Sequence, residues 1–261
     1  MESKSITPRL RFILLPLIGI VLLLTLVKYT DDHLDAIDKD VLLVGVSPDY
    51  PPFATEKNNK LVGFDVDLIN AIAAKMNKKI KLKESTFQDL IPALLHDEVD
   101  VIISGLSINP ERAKEIAFTN PYWHSYLVAI TLTRSSFNST QDLVENKKIG
   151  VALNSNMEYH ARDLFPKAKI ITAGSNQILM DKLRLGSLDA VIAENTQLPF
   201  LVNNEARFNI LPVNDLPIQS YAIGLSKNTR LIDPFNKNIE LFKKNDTIQA
   251  LAAKWNLINE Y

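Results

Sequence analysis

Val41-Leu-Leu-Val-Gly-Val46 is a continuous apolar run rich in β-branched residues, and it reads as a buried strand. It stops at Ser47-Pro48-Asp49-Tyr50-Pro51-Pro52. That stretch continues neither a helix nor a central strand, because proline lacks the N–H both require. Asn58-Asn59-Lys60 marks a turn before a second strand ending at Gly63. From Phe64 the apolar period lengthens. Phe64, Leu68, Ile69, Ile72, Ala73 and Met76 fall on one face of a helix. Asp65 and Asp67 occupy its first turn and Lys75 and Lys78 its end, as the helix dipole favours. Ile80-Lys-Leu-Lys83 then alternates as a strand. Phe87, Leu90, Ile91, Leu94 and Leu95 mark another amphipathic helix, and Val99-Asp-Val-Ile-Ile103 another buried strand. Such alternation implies βαβ units and a mostly parallel sheet.

The alternation restarts further on. Lys148-Ile-Gly-Val-Ala152 reads as a strand, Asn176 to Leu185 as a helix, and Leu188-Asp-Ala-Val-Ile-Ala193 as a strand. Asn176 is the expected N-cap of that helix and Gly186 its C-terminal stop. Two α/β units therefore share one chain, and a last amphipathic helix, Ile248 to Trp255, packs on one of them.

Composition narrows the function. With 261 residues and 46% apolar content, the chain can bury one large core or two smaller ones. A formal charge of −1 argues against a nucleic-acid binder, which carries a clustered basic surface. With no cysteine, neither a disulfide framework nor a thiolate metal site is available. His33, His96, His124 and His160 are too scattered to suggest a metal site, and nothing calls for a cofactor.

The N-terminus is of another kind. Lys4, Arg9 and Arg11 precede an uncharged run of 16 residues, Phe12 to Val27. A positive segment followed by an apolar one is the pattern of an export signal. The run lies between the roughly 7–15 residues of a signal core and the ~20 needed to span a bilayer. No small-x-small cleavage site follows, so a cleaved signal and an uncleaved anchor both stay open over residues 1–27. Either one puts the remainder outside the cytoplasm, in the periplasm, because the positive charges stay inside. Residues 28–40 are polar and acidic and read as a linker.

Several further stretches carry a resemblance. They are Gly45-Val-Ser-Pro-Asp-Tyr-Pro-Pro-Phe53, Leu61-Val-Gly-Phe-Asp-Val-Asp-Leu68 and Ser104-Gly-Leu-Ser-Ile-Asn-Pro-Glu-Arg112. Ala117-Phe-Thr-Asn-Pro-Tyr122, Lys148-Ile-Gly-Val151, Gly186-Ser-Leu-Asp-Ala190 and Tyr221-Ala-Ile-Gly-Leu225 follow in order. Each is weak alone; in this order and spacing they resemble the polar amino acid-binding proteins of ABC importers, over roughly residues 41 to 257. The resemblance implies the type II periplasmic binding protein fold, two α/β lobes joined by two hinge crossings with solute in the cleft. Lobe 1 would comprise 41–124 and 221–261, and lobe 2 would comprise 125–220. It further implies a monomer that carries a free polar L-amino acid to a membrane permease.

The same resemblance implies the binding residues. Arg112 matches the arginine that clamps the ligand α-carboxylate, a task suited to a planar guanidinium fork. Backbone N–H groups of the Ser104–Asn109 loop would assist it, with Ser104, Gly105 and Ser107 in contact. Glu194 stands where the family usually has an aspartate for the α-ammonium, with the charge kept and one methylene added. Tyr50 and Phe87 match aromatic positions that sandwich the ligand side chain, although Phe87 also fits the apolar face of its helix. Asn154-Ser155-Asn156 replaces Gly-Ser/Thr-Thr. Ser155 and Asn156 keep hydrogen-bonding capacity, and Asn154 tolerates the left-handed backbone better than most substitutes for glycine.

Two departures bear on the ligand. Ser47 stands where several binders of basic or amide amino acids carry an aspartate, and Asn109 replaces a usual threonine. Aromatic faces with Asp49 as the nearest acid favour arginine, then lysine or glutamine. The rival readings are an exported cyclohexadienyl or arogenate dehydratase on the same fold, with Glu194 as general acid, and a membrane-anchored sensor.

Overall fold

The computed structural model describes residues 19–23, 36–203, 205–214 and 218–257. Most of the leader expected over 1–27, and residues 28–35 of the linker, lie outside these. Residues 19–23 are helical, and Ala36–Asp38 form one 3-10 turn. Among the described residues no helix is long and apolar enough to cross a membrane.

From Asp40 onward the chain is built on two five-stranded sheets. The first runs Lys79–Glu84, Val41–Val46, Val101–Ile102, Gly224–Leu225, Ala117–Phe118 in spatial order. Its first three strands are parallel, and Gly224–Leu225 is antiparallel to both neighbours. The second runs Lys167–Ala173, Glu145–Ala152, Ala190–Glu194, Leu127–Leu132, Phe208–Pro212. It repeats the pattern: three parallel strands, then Leu127–Leu132 antiparallel to both neighbours. The two units inferred from alternating periodicity are these two sheets, the lobes of a type II periplasmic binding protein fold. In both lobes the loops leaving the parallel strands gather at the carboxyl ends of those strands, where open α/β sheets hold their ligands.

The chain passes between the lobes twice. Trp123–Ser125 leads out of the first sheet, Gln219–Tyr221 leads back, and the two segments pair antiparallel. Tyr221 is fully buried there, edge-on to Phe53 at 5.1 Å and to Tyr50 at 6.5 Å. Phe64 extends this aromatic core toward Trp123, with ring centroids 5.5 Å apart.

Local chemistry accounts for the elements. The helix Phe64–Lys75 buries Phe64, Leu68, Ile69 and Ile72 completely, each stabilising by roughly 1.5–3 kcal/mol relative to exposure. The strands Ala54–Lys57 and Lys60–Val62 form a hairpin whose two turn residues, Asn58 and Asn59, both have positive φ, 53° and 57°. That is the two-residue turn for which asparagine is favoured. In the second lobe, hydrophobic clusters cover both faces of the sheet. Ile149, Val151 and Ala190 lie on one, and Leu179, Leu183 and Val191 on the other.

Four details differ from the sequence reading. Ser175, not Asn176, caps its helix, its Oγ accepting from the Ile178 N–H at 3.5 Å. Asn176 becomes the first helical residue, and its side chain is released to point elsewhere. Phe87 opens a 3-10 turn, Phe87–Asp89, and the α-helix begins only at Leu90. The strand expected over Val99–Ile103 pairs only through Val101–Ile102. The proline-rich loop after Val46 carries a two-residue strand, Asp49–Tyr50, because its tyrosine pairs with Ala54.

The final helix, Thr247–Lys254, packs against Phe64–Lys75. Lys254 Nζ and Trp255 Nε1 both donate to Asp67 Oδ2, at 2.7 and 2.6 Å. Asp67 thus ties the chain's end to the first lobe.

Gly63 precedes the Phe64 helix with φ +149°, and a Cβ there would sit 2.1 Å from the Phe53 carbonyl oxygen. Gly63→Ala is expected to destabilise the protein by about 2–3 kcal/mol through strain and backbone displacement. Urea unfolding measures this; a midpoint equal to wild type would refute it.

Candidate functional site

A small cavity of ≈ 50 Å³, room for a few water molecules, lies between the two sets of loops. The first lobe contributes Ser47, Asp49, Tyr50, Phe87, Gly105, Ser107 and Arg112. The second contributes Leu153, Ser155, Asn156 and Glu194, together with Gly174, Ser175 and Asn176. Of the nine residues singled out in the sequence, eight line it. Ser104 does not: it is fully buried, and its Oγ accepts from the Ser47 N–H at 3.1 Å. It braces the loop after Val46 instead.

Arg112 owes its position to a capped helix. Asn109 Oδ1 accepts from the Arg112 N–H at 2.8 Å, and Pro110 supplies the first helical residue of Pro110–Glu115. Arg112 is only 8% exposed. Nη1 donates to the Ser107 carbonyl at 2.9 Å and Nη2 to the Asn154 carbonyl, across the cleft, at 3.0 Å. Its carbon lies 5.2 Å from the centre of the Phe87 ring. Burial lowers its pKa to about 10, against the opposing pull of Glu194 and Tyr50, so it stays charged at neutral pH. Asn154 adopts the left-handed backbone foreseen for it, φ 55°. Asn109 Nδ2 donates to Asn156 Oδ1 at 3.2 Å, a second bond between the lobes. Asn156 in turn donates to Gln219 Oε1 on the return crossing.

Glu194 ends its strand 2% exposed. Burial raises its pKa to about 7, although the Tyr50 hydroxyl and the Arg112 charge pull the other way. Its Oε2 has no hydrogen-bond partner among the described residues. Burial also holds the Tyr50 and Tyr221 hydroxyls well above their ordinary pKa, so both remain neutral. They lie 3.0 Å apart, and Ser125 Oγ donates to the Tyr221 hydroxyl, also at 3.0 Å. Tyr221 was not singled out as a binding residue in the sequence, where it only opens the stretch Tyr221–Leu225 that carries part of the resemblance.

Gly105 is required for the ring above it. Its φ is +55°, and a Cβ would meet Tyr50 Cε1 at 2.5 Å. The Gly105 N–H donates to Asp65 Oδ2 at 2.7 Å, so that donor serves the loop rather than the cavity. Asp65 is fully buried, and burial raises its pKa to about 7 against this hydrogen bond. Ser155 caps the helix Asn156–Leu164, its Oγ accepting from the Glu158 N–H at 3.2 Å. Among the described residues no group of acidic, histidine or cysteine side chains could hold a metal ion.

Residues 42–258 match the model of the bacterial extracellular solute-binding proteins, family 3. The chain belongs to that family. An arginine-binding extracellular protein of Bacillus subtilis is 31% identical over 221 residues, which cover 83% of this chain and 86% of that one. Among solved structures, an ancestral arginine-binding protein bound to glutamine superposes with a TM-score of 0.77. It is 32% identical over 84% of this chain and 99% of that one. An ancestral amino acid-binding protein, a precursor of cyclohexadienyl dehydratase, gives a TM-score of 0.76. That likeness comes at 27% identity, over 83% and 95% of the two chains.

Two buried carboxyls give this solute-binding protein a pH signature. The folded pKa values of Asp65 and Glu194, about 7, exceed their ordinary values of 3.8 and 4.5. The folded state therefore holds protons that the unfolded chain has released. Each group costs on the order of 1 kcal/mol of stability per pH unit between those limits. Stability is expected to fall as pH rises from about 5 to 7.5. Asp65→Asn and Glu194→Gln should each flatten the dependence of the urea midpoint on pH. Wild-type slopes in both variants would overturn the assignment.

Proposed function

We propose that this protein captures a free polar L-amino acid outside the cytoplasm, arginine before lysine or glutamine, and delivers it to the permease of an ABC importer. One observation carries the reading: a buried guanidinium from one lobe and a buried carboxyl from the other share one small cavity. That pair complements a zwitterion, which presents both charges within a few ångströms and pays heavily to be buried unpaired.

In this reading Arg112 clamps the α-carboxylate. Two of its five N–H groups are engaged by carbonyls, which leaves three for a charge-assisted pair. Glu194 takes the α-ammonium on its unpartnered Oε2. Nearby positive charge lowers its pKa, so capture draws its proton off near neutral pH. Tyr50 and Phe87 supply aromatic surface to the ligand stem, while Phe87 also faces the Arg112 guanidinium. Ser107, Gly105, Ser155 and Asn156 complete the wall. The lobes divide as 41–124 with 221–261, and 125–220, so closing them encloses the solute. The chain acts as a monomer in the periplasm, brought there by residues 1–27 as signal or anchor. The Bacillus relative named for arginine binding, and the likeness to an arginine-binding protein holding glutamine, support the ligand order.

Calorimetry tests the reading. L-arginine is expected to bind saturably and without turnover. Arg112→Ala should cost roughly 2–5 kcal/mol of binding, about 30-fold or more in affinity, with the fold retained. Near wild-type affinity in the folded variant would remove Arg112 from the site. Turnover of prephenate or arogenate would replace a transport protein with a dehydratase.

A further inference from the structure

The cavity wall includes a second residue with a buried, unpartnered acceptor, on a different loop from Glu194. Asn176 lines the cavity and is 6% exposed. Ser175 caps the helix, so the Asn176 amide is free of that duty and donates through Nδ2 to Gln197 Oε1. Gln197 is itself 1% exposed, which fixes the amide from behind. The remaining oxygen, Asn176 Oδ1, is buried with no hydrogen-bond partner among the described residues. An amide oxygen kept from water in this way costs stability unless something donates to it.

Sheet register says how far this acceptor lies from the other. Glu194 ends the Ala190–Glu194 strand, and Asn176 follows the Lys167–Ala173 strand. The Glu145–Ala152 strand separates them, with Ala152 beside Ala173 and Gly150 beside Val191. Two inter-strand steps of about 4.8 Å set the two loops roughly 10 Å apart. Glu194 and Asn176 thus stand on separate loops of the same wall, and a single molecule reaches both only if it carries N–H groups several bonds apart. Asp49, exposed and also lining the cavity, adds negative charge.

From this we infer that Asn176 is a specificity-determining residue, whose Oδ1 accepts a hydrogen bond from the side-chain nitrogen of a long amino acid, a guanidinium above all. The inference rests on the amino-acid reading above and adds the residue that reads the side chain's far end. It disfavours ligands whose distal group only accepts, such as carboxylates, because two oxygens would then face each other without a proton between them.

Titration calorimetry on the full-length chain tests it, with L-arginine, L-citrulline and L-norvaline, the last being the arginine stem without its guanidinium. Asn176→Leu is expected to weaken arginine at least 10-fold and norvaline less than 3-fold. Asn176→Asp, nearly the same shape, should raise the preference for arginine over citrulline at least 10-fold, and it carries the test alone if the leucine variant does not fold. Equal losses for arginine and norvaline would reduce Asn176 to a structural role and overturn the inference. So would an unchanged arginine-to-citrulline ratio in Asn176→Asp. Wild type binding arginine and norvaline equally would overturn the inference while leaving the amino-acid reading intact. Wild type binding neither would overturn both.

Discussion

Arg112 and Glu194 are kept in one water-poor cavity by two different lobes, and the rest of the binding apparatus follows from that constraint. A buried charge without a partner costs several kcal/mol. The protein meets the cost differently on each side. The guanidinium is held by two carbonyls and an aromatic face and keeps its charge. The carboxyl has an unpartnered oxygen and meets burial with a pKa raised to about 7. The cation is thus fixed, and the anion is adjustable. On the proposed reading a zwitterion suits both: its carboxylate would find a rigid donor, and its ammonium would pull the glutamate into its charged form.

Fixing the cavity wall takes a chain of buried polar contacts that runs from helix to hinge. Asp65, in the first turn of its helix, holds the Gly105 N–H. Gly105, lacking a Cβ, lets the Tyr50 ring lie against it. The Tyr50 hydroxyl meets that of Tyr221 on the return crossing, and Tyr221 is met by Ser125 on the outward crossing. Ser104 braces the same wall from behind through the Ser47 N–H. Each link is fully or largely buried, where hydrogen bonds are stronger and unmade ones costlier. The cavity wall is therefore continuous with the two strands that join the lobes.

How much of this was legible depended on whether a residue's role has a local signature. The Phe64 helix and the Val41 strand were readable because burial imposes a period on many residues at once. The left-handed backbone at Asn154 was readable because few residue types accept it. Asp65 was misleading: an acid in a first turn suits the helix dipole, and nothing local separates that role from a buried brace. Ser104 and Ser107 are the same residue type three positions apart, and only the packing decides which faces the cavity. In sequence Asn176 reads as the cap of its helix, but Ser175 one position earlier is as good a capping residue and takes the role, which frees the asparagine. Phe87 meets both readings: from a 3-10 turn it packs on the Leu90–Leu94 core while its ring faces Arg112, and no local signature decides between the two. Tyr221 depends on a pairing nearly a hundred residues distant in sequence, with Trp123.

Closure and selectivity are linked through the bonds that already span the cleft. Arg112 Nη2 reaches the Asn154 carbonyl, and Asn109 reaches Asn156. Both bonds originate in the loop and short helix that present the guanidinium; one ends in the loop before the Asn156–Leu164 helix and the other on that helix's first residue. Contacts so placed are made by the protein alone, so they do not distinguish one solute from another. Discrimination must come from groups that closure alone leaves unsatisfied. Among the described residues that line the cavity, the buried side-chain oxygens in that condition are Glu194 Oε2 and Asn176 Oδ1. On the proposed reading, a solute that satisfies neither would leave two desolvated acceptors buried and bear their cost, and one with donors at the right separation would remove both penalties. Selectivity of this kind is set by what the wrong ligand leaves unpaired. A single substitution at either oxygen should therefore change the order of ligands more than it changes the ability to close.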